Sequence, residues 1–153
     1  MPHYATSWPS QSKLTPSSVH SQQIQLRLDY MTRKNIPGTS PYEPIIGFSR
    51  AVRLGNHVYV SGTGPVGAEE ASPADQTRAA LAIIKAALEK AGATFDHVYR
   101  TRMFLARAED WEEIGRAHGE VFGKILPAST MVVAALLNPK WRIEIEADAY
   151  IPE

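Results

Sequence analysis

Three groups of residues have the types and spacing to do chemistry. Glu144 and Glu146 lie two apart in Arg142-Ile143-Glu144-Ile145-Glu146-Ala147, a segment that alternates apolar and polar as a half-buried strand does. In such a strand both carboxylates share one face. Arg100, Arg102 and Phe104 share a face of a second alternating segment, residues 98–106. If the two segments pair, a carboxylate beside a guanidinium can activate water, or hold an amino or imino group. The plainer alternative is a structural ion-pair ladder, which pattern alone favours. The second group, Ser61-Gly62-Thr63-Gly64, follows a strand-like stretch. It lacks the Lys of a phosphate-binding loop and no helix follows directly, so its small residues read as a place where a ligand can approach the backbone. Ser61 has no His or acid at an identifiable spacing, which leaves a serine-hydrolase arrangement unsupported. The third is His118, a candidate general base on an apolar helical stripe, where a satisfied, partly buried histidine is the simpler reading. The His residues at 3, 20, 57, 97 and 118 are scattered, so no metal site is expected.

Two strand-like stretches, residues 46–54 and 57–61, flank Gly55-Asn56 and read as a hairpin. Ser72-Pro73-Ala74-Asp75 starts a helix, with Ser72 as cap and Asp75 placed to reach back. Leu81, Ile84, Leu88 and Ala91 form its apolar stripe and Gly92 ends it. Asp110-Trp111-Glu112-Glu113 reads as a second capping box. Trp111, Ile114, His118, Val121 and Phe122 make the stripe of that helix, closed by Gly123. Gly115 and Gly119 lie on the helix face opposite Trp111, where they allow close packing or simply weaken the helix. Strands are expected over 129–137 and 142–151, with Asn138-Pro139-Lys140 turning between them. The order β-β-α-β-α-β-β predicts an α+β domain with both helices on one sheet face. The other face then carries Arg100, Arg102, Arg142, Glu144 and Glu146, with Tyr59, Phe104 and Ala134 or Ala135 on or near it. That mixture of aromatic and charged groups suits a subunit interface with a polar cleft better than plain solvent, although antiparallel sheets do present wet faces.

Composition sets the outer bounds. The chain has 153 residues, 44% of them hydrophobic, which suits one domain. Lys+Arg and Asp+Glu are 16 each, which argues against a protein built to grip nucleic acid or an anionic membrane. The absence of Cys excludes disulfides and thiolate catalysis and fits a cytoplasmic location. No apolar run approaches the roughly 20 residues of a membrane span. Residues 1–30 are rich in Ser, Gln and Pro and nearly uncharged. They read as a disordered or non-native extension, with Met31 a candidate native start. Residues 31–45 read as an extended lead-in loop, and 46–153 as the domain.

The words of the sequence go further. Gly55-Asn56-His57-Val58-Tyr59-Val60-Ser61-Gly62 resembles the Gly-Asn-x-(Val/Ile)-x-x-Ser-Gly hairpin of the RidA/YjgF family. Gln76-Thr77, in a helix ending Leu88-Glu89-Lys90-Ala91-Gly92, is similar to that family's first helix. Arg100-Thr101-Arg102-Met103-Phe104-Leu105 resembles its central strand. Pro127-Ala128-Ser129-Thr130, followed by the Glu144-Ile145-Glu146 strand, resembles its carboxy-terminal signature. The likeness is collinear over about residues 40–151.

This resemblance implies a chorismate-mutase-like α+β fold, two helices packed on one face of a mixed β-sheet. It implies a homotrimer with small-molecule clefts between subunits, and hydrolysis of imines or enamines such as 2-iminopropanoate to a 2-keto acid and ammonia, without a cofactor. In the family a Glu and backbone groups position water while an Arg clamps the substrate carboxylate. By position the Glu is Glu144, and the Ser-Gly at the strand end is Ser61-Gly62, with Thr63 following. The clamping Arg falls on Ser129, the pocket Tyr on Phe48 and the second-helix Asn on Gly115. Met131 occupies a position contributing backbone groups. Serine in place of arginine removes a charge-assisted hydrogen bond worth about 1.5–3 kcal/mol. The expectation is therefore a divergent hydrolase with an altered, less anionic imine-like or carbonyl substrate. Arg102, on the side of Glu144, is a candidate replacement cation. The alternatives are a regulatory trimer that binds without turnover and an endoribonuclease or translation inhibitor. Neutral charge and the absence of a His pair at a suitable spacing argue against the last.

Overall fold

The computed structural model describes residues 20–21 and 32–153. Apart from positions 20–21, the reading of residues 1–30 lies outside the described residues, as does Met31. The strands are β1 (Arg33–Ile36), β2 (Ala51–Leu54), β3 (His57–Thr63), β4 (Val98–Leu105), β5 (Ala128–Val133) and β6 (Ile143–Tyr150). The long helices are α1 (Pro73–Ala91) and α2 (Trp111–Phe122). They pack on a six-stranded mixed sheet in the order β1-β2-β3-β6-β4-β5. Only β4 and β5 run parallel; the other neighbours are antiparallel. The α+β class is as expected, with one strand more.

The additional strand, β1, falls within the expected lead-in loop. Arg33-Lys34-Asn35-Ile36 buries only Ile36, at 2% exposure. It forms a charged edge against β2 and shields that edge from other chains. The stretch expected as a strand over 46–54 splits instead. Glu43–Gly47 is a single π-helical turn, and Gly47 adopts φ 84, which no strand residue takes. Residues expected as strand after Val133 leave the sheet once the Ala134 amide has bonded the Leu105 carbonyl.

Helix α1 is built as its residues dictate. Ser72 caps it, its Oγ accepting from the Asp75 amide at 3.2 Å and donating to Asp75 Oδ2 at 3.0 Å. Leu81, Ile84, Leu88 and Ala91 are all buried. Gly92 ends the helix at φ 85, and the Arg53 guanidinium donates to the Ala91 carbonyl there, where a cation is favoured. Replacing Ser72 with Ala is expected to cost about 1 kcal/mol, measured as a lower urea midpoint with an unchanged slope.

Helix α2 differs from expectation at its start. Asp110 makes no capping hydrogen bond. Its carboxylate instead receives Arg142 Nη2 at 2.5 and 2.6 Å and is 93% buried as a side chain-bearing residue, at 7% exposure. Arg142 precedes β6, so strand alternation does not govern it, and it leaves the charged face it was expected to join. Trp111 is 60% exposed. The first turn of α2 is engaged through polar groups, Glu113 accepting from the Ala74 amide, and the indole stays outside. Ile114 and Phe122 are buried, and Phe122 packs edge-on against Phe95.

The two sheet faces separate as the alternation implied. Val58, Val60, Met103, Leu105, Ile143, Ile145 and Ala147 are buried with the helices in one core. On the opposite face, Arg102 lies beside Glu146, and Phe104 beside Glu144.

Candidate functional site

The site begins with an irregularity in the β3–β6 ladder. Val60 opposes Ala147 and Thr63 opposes Ile145, so the ladder slips between Val60 and Thr63. The bulge releases backbone at Ser61-Gly62 from regular pairing. Glu144 lies directly against it. A Cβ added to Gly62 would overlap Glu144 Oε1 and approach its carboxyl carbon at 3.1 Å. Glycine is therefore what lets the carboxylate lie on this backbone.

Arg50 secures the bulge from the neighbouring side. The Ser61 amide donates to the Arg50 carbonyl at 3.0 Å. Arg50 Nη1 donates to the carbonyls of Gly62 at 2.8 Å and Ser61 at 3.4 Å, and to Thr63 Oγ1 at 2.8 Å. The Ser61 hydroxyl donates to the Ser49 carbonyl at 2.8 Å, and the Thr63 hydroxyl to the Ser61 carbonyl at 2.7 Å. Arg50 stands 5.9 Å from the centre of the Phe48 ring, within cation–π range. Phe48, Ser61, Gly62, Thr63 and Glu144 thus meet around one guanidinium.

Charge in this group is poised. Burial first, then repulsion from Glu146, raise the pKa of Glu144, and Arg50 opposes them. Burial lowers the pKa of Arg50, while Glu43 and Glu144 raise it. A carboxylate with a raised pKa is the stronger base once ionised.

Arg102 points to the same face but has other partners. It pairs with Glu146 at 3.2 Å and Asp148 at 2.9 Å. Arg102 and Glu146 thus form the ion-pair ladder of the plainer alternative. Ser129, Met131 and Gly115 lie elsewhere. Ser129 stands level with Thr101 and Met131 with Met103, on the helix side of the sheet. Ser129 Oγ accepts from Thr101 Oγ1 at 3.1 Å, and that hydroxyl also meets His118 Nε2 at 3.1 Å. A Cβ on Gly115 would approach Met131 at 3.8 Å. Within one chain these residues and Glu144 therefore face opposite sides of the sheet. His118 is half-buried against Phe122, and burial lowers its pKa, as a satisfied core histidine behaves.

Sequence reasoning missed Arg50 and Trp141. Arg50 is two residues from Phe48 in extended chain, a spacing that puts both on one side. Trp141 lies so close over Gly64 that any side chain there would collide with its ring, and its Nε1 is buried without a partner. Buried Gln76 ties the adjoining loops together, bonding the carbonyls of Glu69, Ala71 and Lys140 and the amide of Arg142. Among the described residues no cluster of three or more His, Asp or Glu is grouped to hold a metal, and no helix is long and apolar enough to cross a membrane.

Comparison with known proteins adds a relationship. A family model described as endoribonuclease L-PSP matches residues 38–151. The crystal structure of Rv2704 from Mycobacterium tuberculosis, a member of the YjgF/YER057c/UK114 family, is 44% identical. It superposes with a TM-score of 0.74 over 78% of this chain and 100% of its own. An uncharacterized protein of Streptomyces coelicolor is 34% identical over 122 residues, 76% of this chain and 91% of the relative. A 2-iminobutanoate/2-iminopropanoate deaminase of Dermatophagoides farinae is 31% identical over 117 residues, 69% of this chain and 86% of the relative.

Proposed function

The chain belongs to the RidA/YjgF family, the endoribonuclease L-PSP family, and from that premise we propose that it hydrolyses small imine or enamine intermediates, with Glu144 positioning and activating water. Water adds across the C=N bond, the carbon keeps the oxygen as a carbonyl, and the nitrogen leaves as ammonia. The observation that carries this reading is the seating of the Glu144 carboxylate on the Gly62 backbone of the β3 bulge. A half-buried base with a raised pKa suits water activation. Ser129, Met131 and Gly115 bear on the same cleft through a second copy of the chain, whose β5 edge approaches the open face of the first. A homotrimer closes that arrangement. The long edge strand β5, with Val132 45% and Val133 58% exposed, supports it.

The test is ammonia release from 2-iminobutanoate and related imino acids generated in situ by an amino-acid oxidase. Acceleration over the spontaneous rate for at least one side chain is expected. No acceleration across the panel overturns the hydrolase reading. The second reading, binding without turnover, draws on Ser129, Phe48 and Gly115 standing at three pocket positions. Saturable binding of a 2-keto acid together with failure of the imine panel supports it.

A further inference from the structure

We propose that Arg50 forms the anion-binding subsite of the cleft, taking the carboxylate of a small imine or carbonyl ligand on the same chain that supplies Glu144. This deepens the hydrolase reading and, as to which ligand reacts, rests on it. The family position for such a cation is Ser129, which is uncharged and on the other sheet face. A ligand carboxylate beside Glu144 needs a positive group on the open face, where Arg33, Arg100 and Arg102 stand by register and Arg50 reaches the bulge. Arg33, in β1, is three strands from β6, about 14 Å away. Arg102 is neutralised by Glu146 and Asp148. Arg100 stands level with Asp148, four residues along β4 from Phe104, the neighbour of Glu144; at about 3.3 Å per residue that is about 13 Å away. Arg50 is the remaining one, and it touches the bulge against which Glu144 lies.

Its hydrogen bonding is half used. All three of its bonds leave from Nη1, and among the described residues Nε and Nη2 have no hydrogen-bond partner. Among the described residues no ion pair involves it either. Glu43 acts on it through charge but forms no ion pair with it within 4 Å among the described residues, and both its oxygens accept from the Gly38 amide, at 2.9 and 3.0 Å. Gly38 packs closely on this arginine: a Cβ there would stand 3.1 Å from Arg50 Cβ, 3.4 Å from Nε and 2.5 Å from Glu43 Oε1, so Nη2 is the nitrogen left to face a ligand. A cation that is partly desolvated, fixed at Nη1 and without a hydrogen-bond partner at Nη2 among the described residues is preorganised for a carboxylate. Fixing Nη1 on the Gly62 carbonyl also couples the two halves of the cleft. The group that would hold the ligand and the backbone under the base move together.

The experiment is calorimetric titration of the full chain with 2-oxobutanoate and with its uncharged amide, 2-oxobutanamide. The wild type is expected to favour the acid at least tenfold. Arg50→Gln, whose amide can still donate to the Gly62 carbonyl, is expected to bring the two within twofold. Arg102→Gln is expected to keep the tenfold preference. No acid preference in the wild type, its survival in Arg50→Gln, or its loss in Arg102→Gln would each overturn the assignment. If Arg50→Gln does not fold, the wild-type and Arg102→Gln arms can still overturn the assignment, and Arg50→Lys, which keeps the charge at a single nitrogen, is expected to retain part of the acid preference. Because binding is measured rather than turnover, the outcomes separate. An inactive protein that still favours the acid through Arg50 sinks the hydrolase reading and leaves the anion site standing.

Discussion

Glu144→Gln is expected to lower imine hydrolysis by about 10²–10⁴-fold, the usual contribution of a positioned acid–base group, and at the same time to raise the melting temperature at neutral pH. The two effects have one cause. Burial and the neighbouring Glu146 disfavour the ionised carboxylate more than Arg50 favours it, so the folded state raises the pKa of Glu144 above its ordinary value. In the unfolded chain this group ionises first as pH rises. Its contribution to stability is therefore full below the unfolded pKa and is lost as pH climbs through the folded one. At neutral pH the wild type carries a charge it would fold more easily without, and glutamine removes it. The gain should shrink on acidification, as Glu144 becomes protonated, and melting curves of both proteins between pH 4 and 8 check the sign. The raised pKa also sets the acid limb of activity. Hydrolysis should fall away at a higher pH than an ordinary carboxylate would dictate. A Glu144→Gln variant with unimpaired turnover would remove Glu144 from the chemistry. A variant destabilised at neutral pH would mean the pairing with Arg50 outweighs desolvation.

Much of this arrangement is readable from residue order because period-2 alternation fixes faces. Ile143, Ile145 and Ala147 against Glu144, Glu146 and Asp148 is such a case, and the register of β6 with β4 bears it out. The cap at Ser72 and the stop at Gly92 are local in origin and equally legible. What is illegible depends on distant partners. Strand β1 has a single buried residue and exists through its pairing with β2, so its own pattern carries no strand signal. Asp110 has the type and position of a cap, but the Arg142 guanidinium, 32 residues away, claims it. The opposition of Ser129 and Glu144 follows from two registers, Thr101 with Ser129 and Phe104 with Glu144. Neither register can be fixed before the sheet order is known. Arg50 stayed hidden for a related reason. Its partners lie 11 to 13 residues on and converge on one nitrogen only because β3 bulges, and a bulge leaves no periodic trace.

That bulge makes Gly62→Ala the most telling single-atom test of the site. Alanine is expected to reduce hydrolysis by about 10²-fold, comparable to misplacing a reacting group by an ångström, while leaving the fold nearly as stable. The reasoning starts from what the new methyl group meets. Its overlap is with the Glu144 carboxylate, the far end of a flexible side chain, and not with backbone. Gly62 is not among the residues with positive φ, so alanine meets no backbone penalty there. The side chain of Glu144 must therefore swing off the Gly62 backbone, and even a χ held about 30° off its staggered well costs only about 0.5–1.5 kcal/mol. Gly64→Ala is the control in stability. There the added methyl meets the ring of Trp141, a rigid body whose displacement disturbs the turn at Asn138 through its amide. Its cost should appear as a lowered melting temperature. If Gly62→Ala lost stability as Gly64→Ala does, the cleft at Gly62 would be ordinary packing. If it kept full activity, the carboxylate would not need its seat on the bulge. Lost turnover with retained stability is the outcome that ties the missing side chain at Gly62 to the chemistry of Glu144.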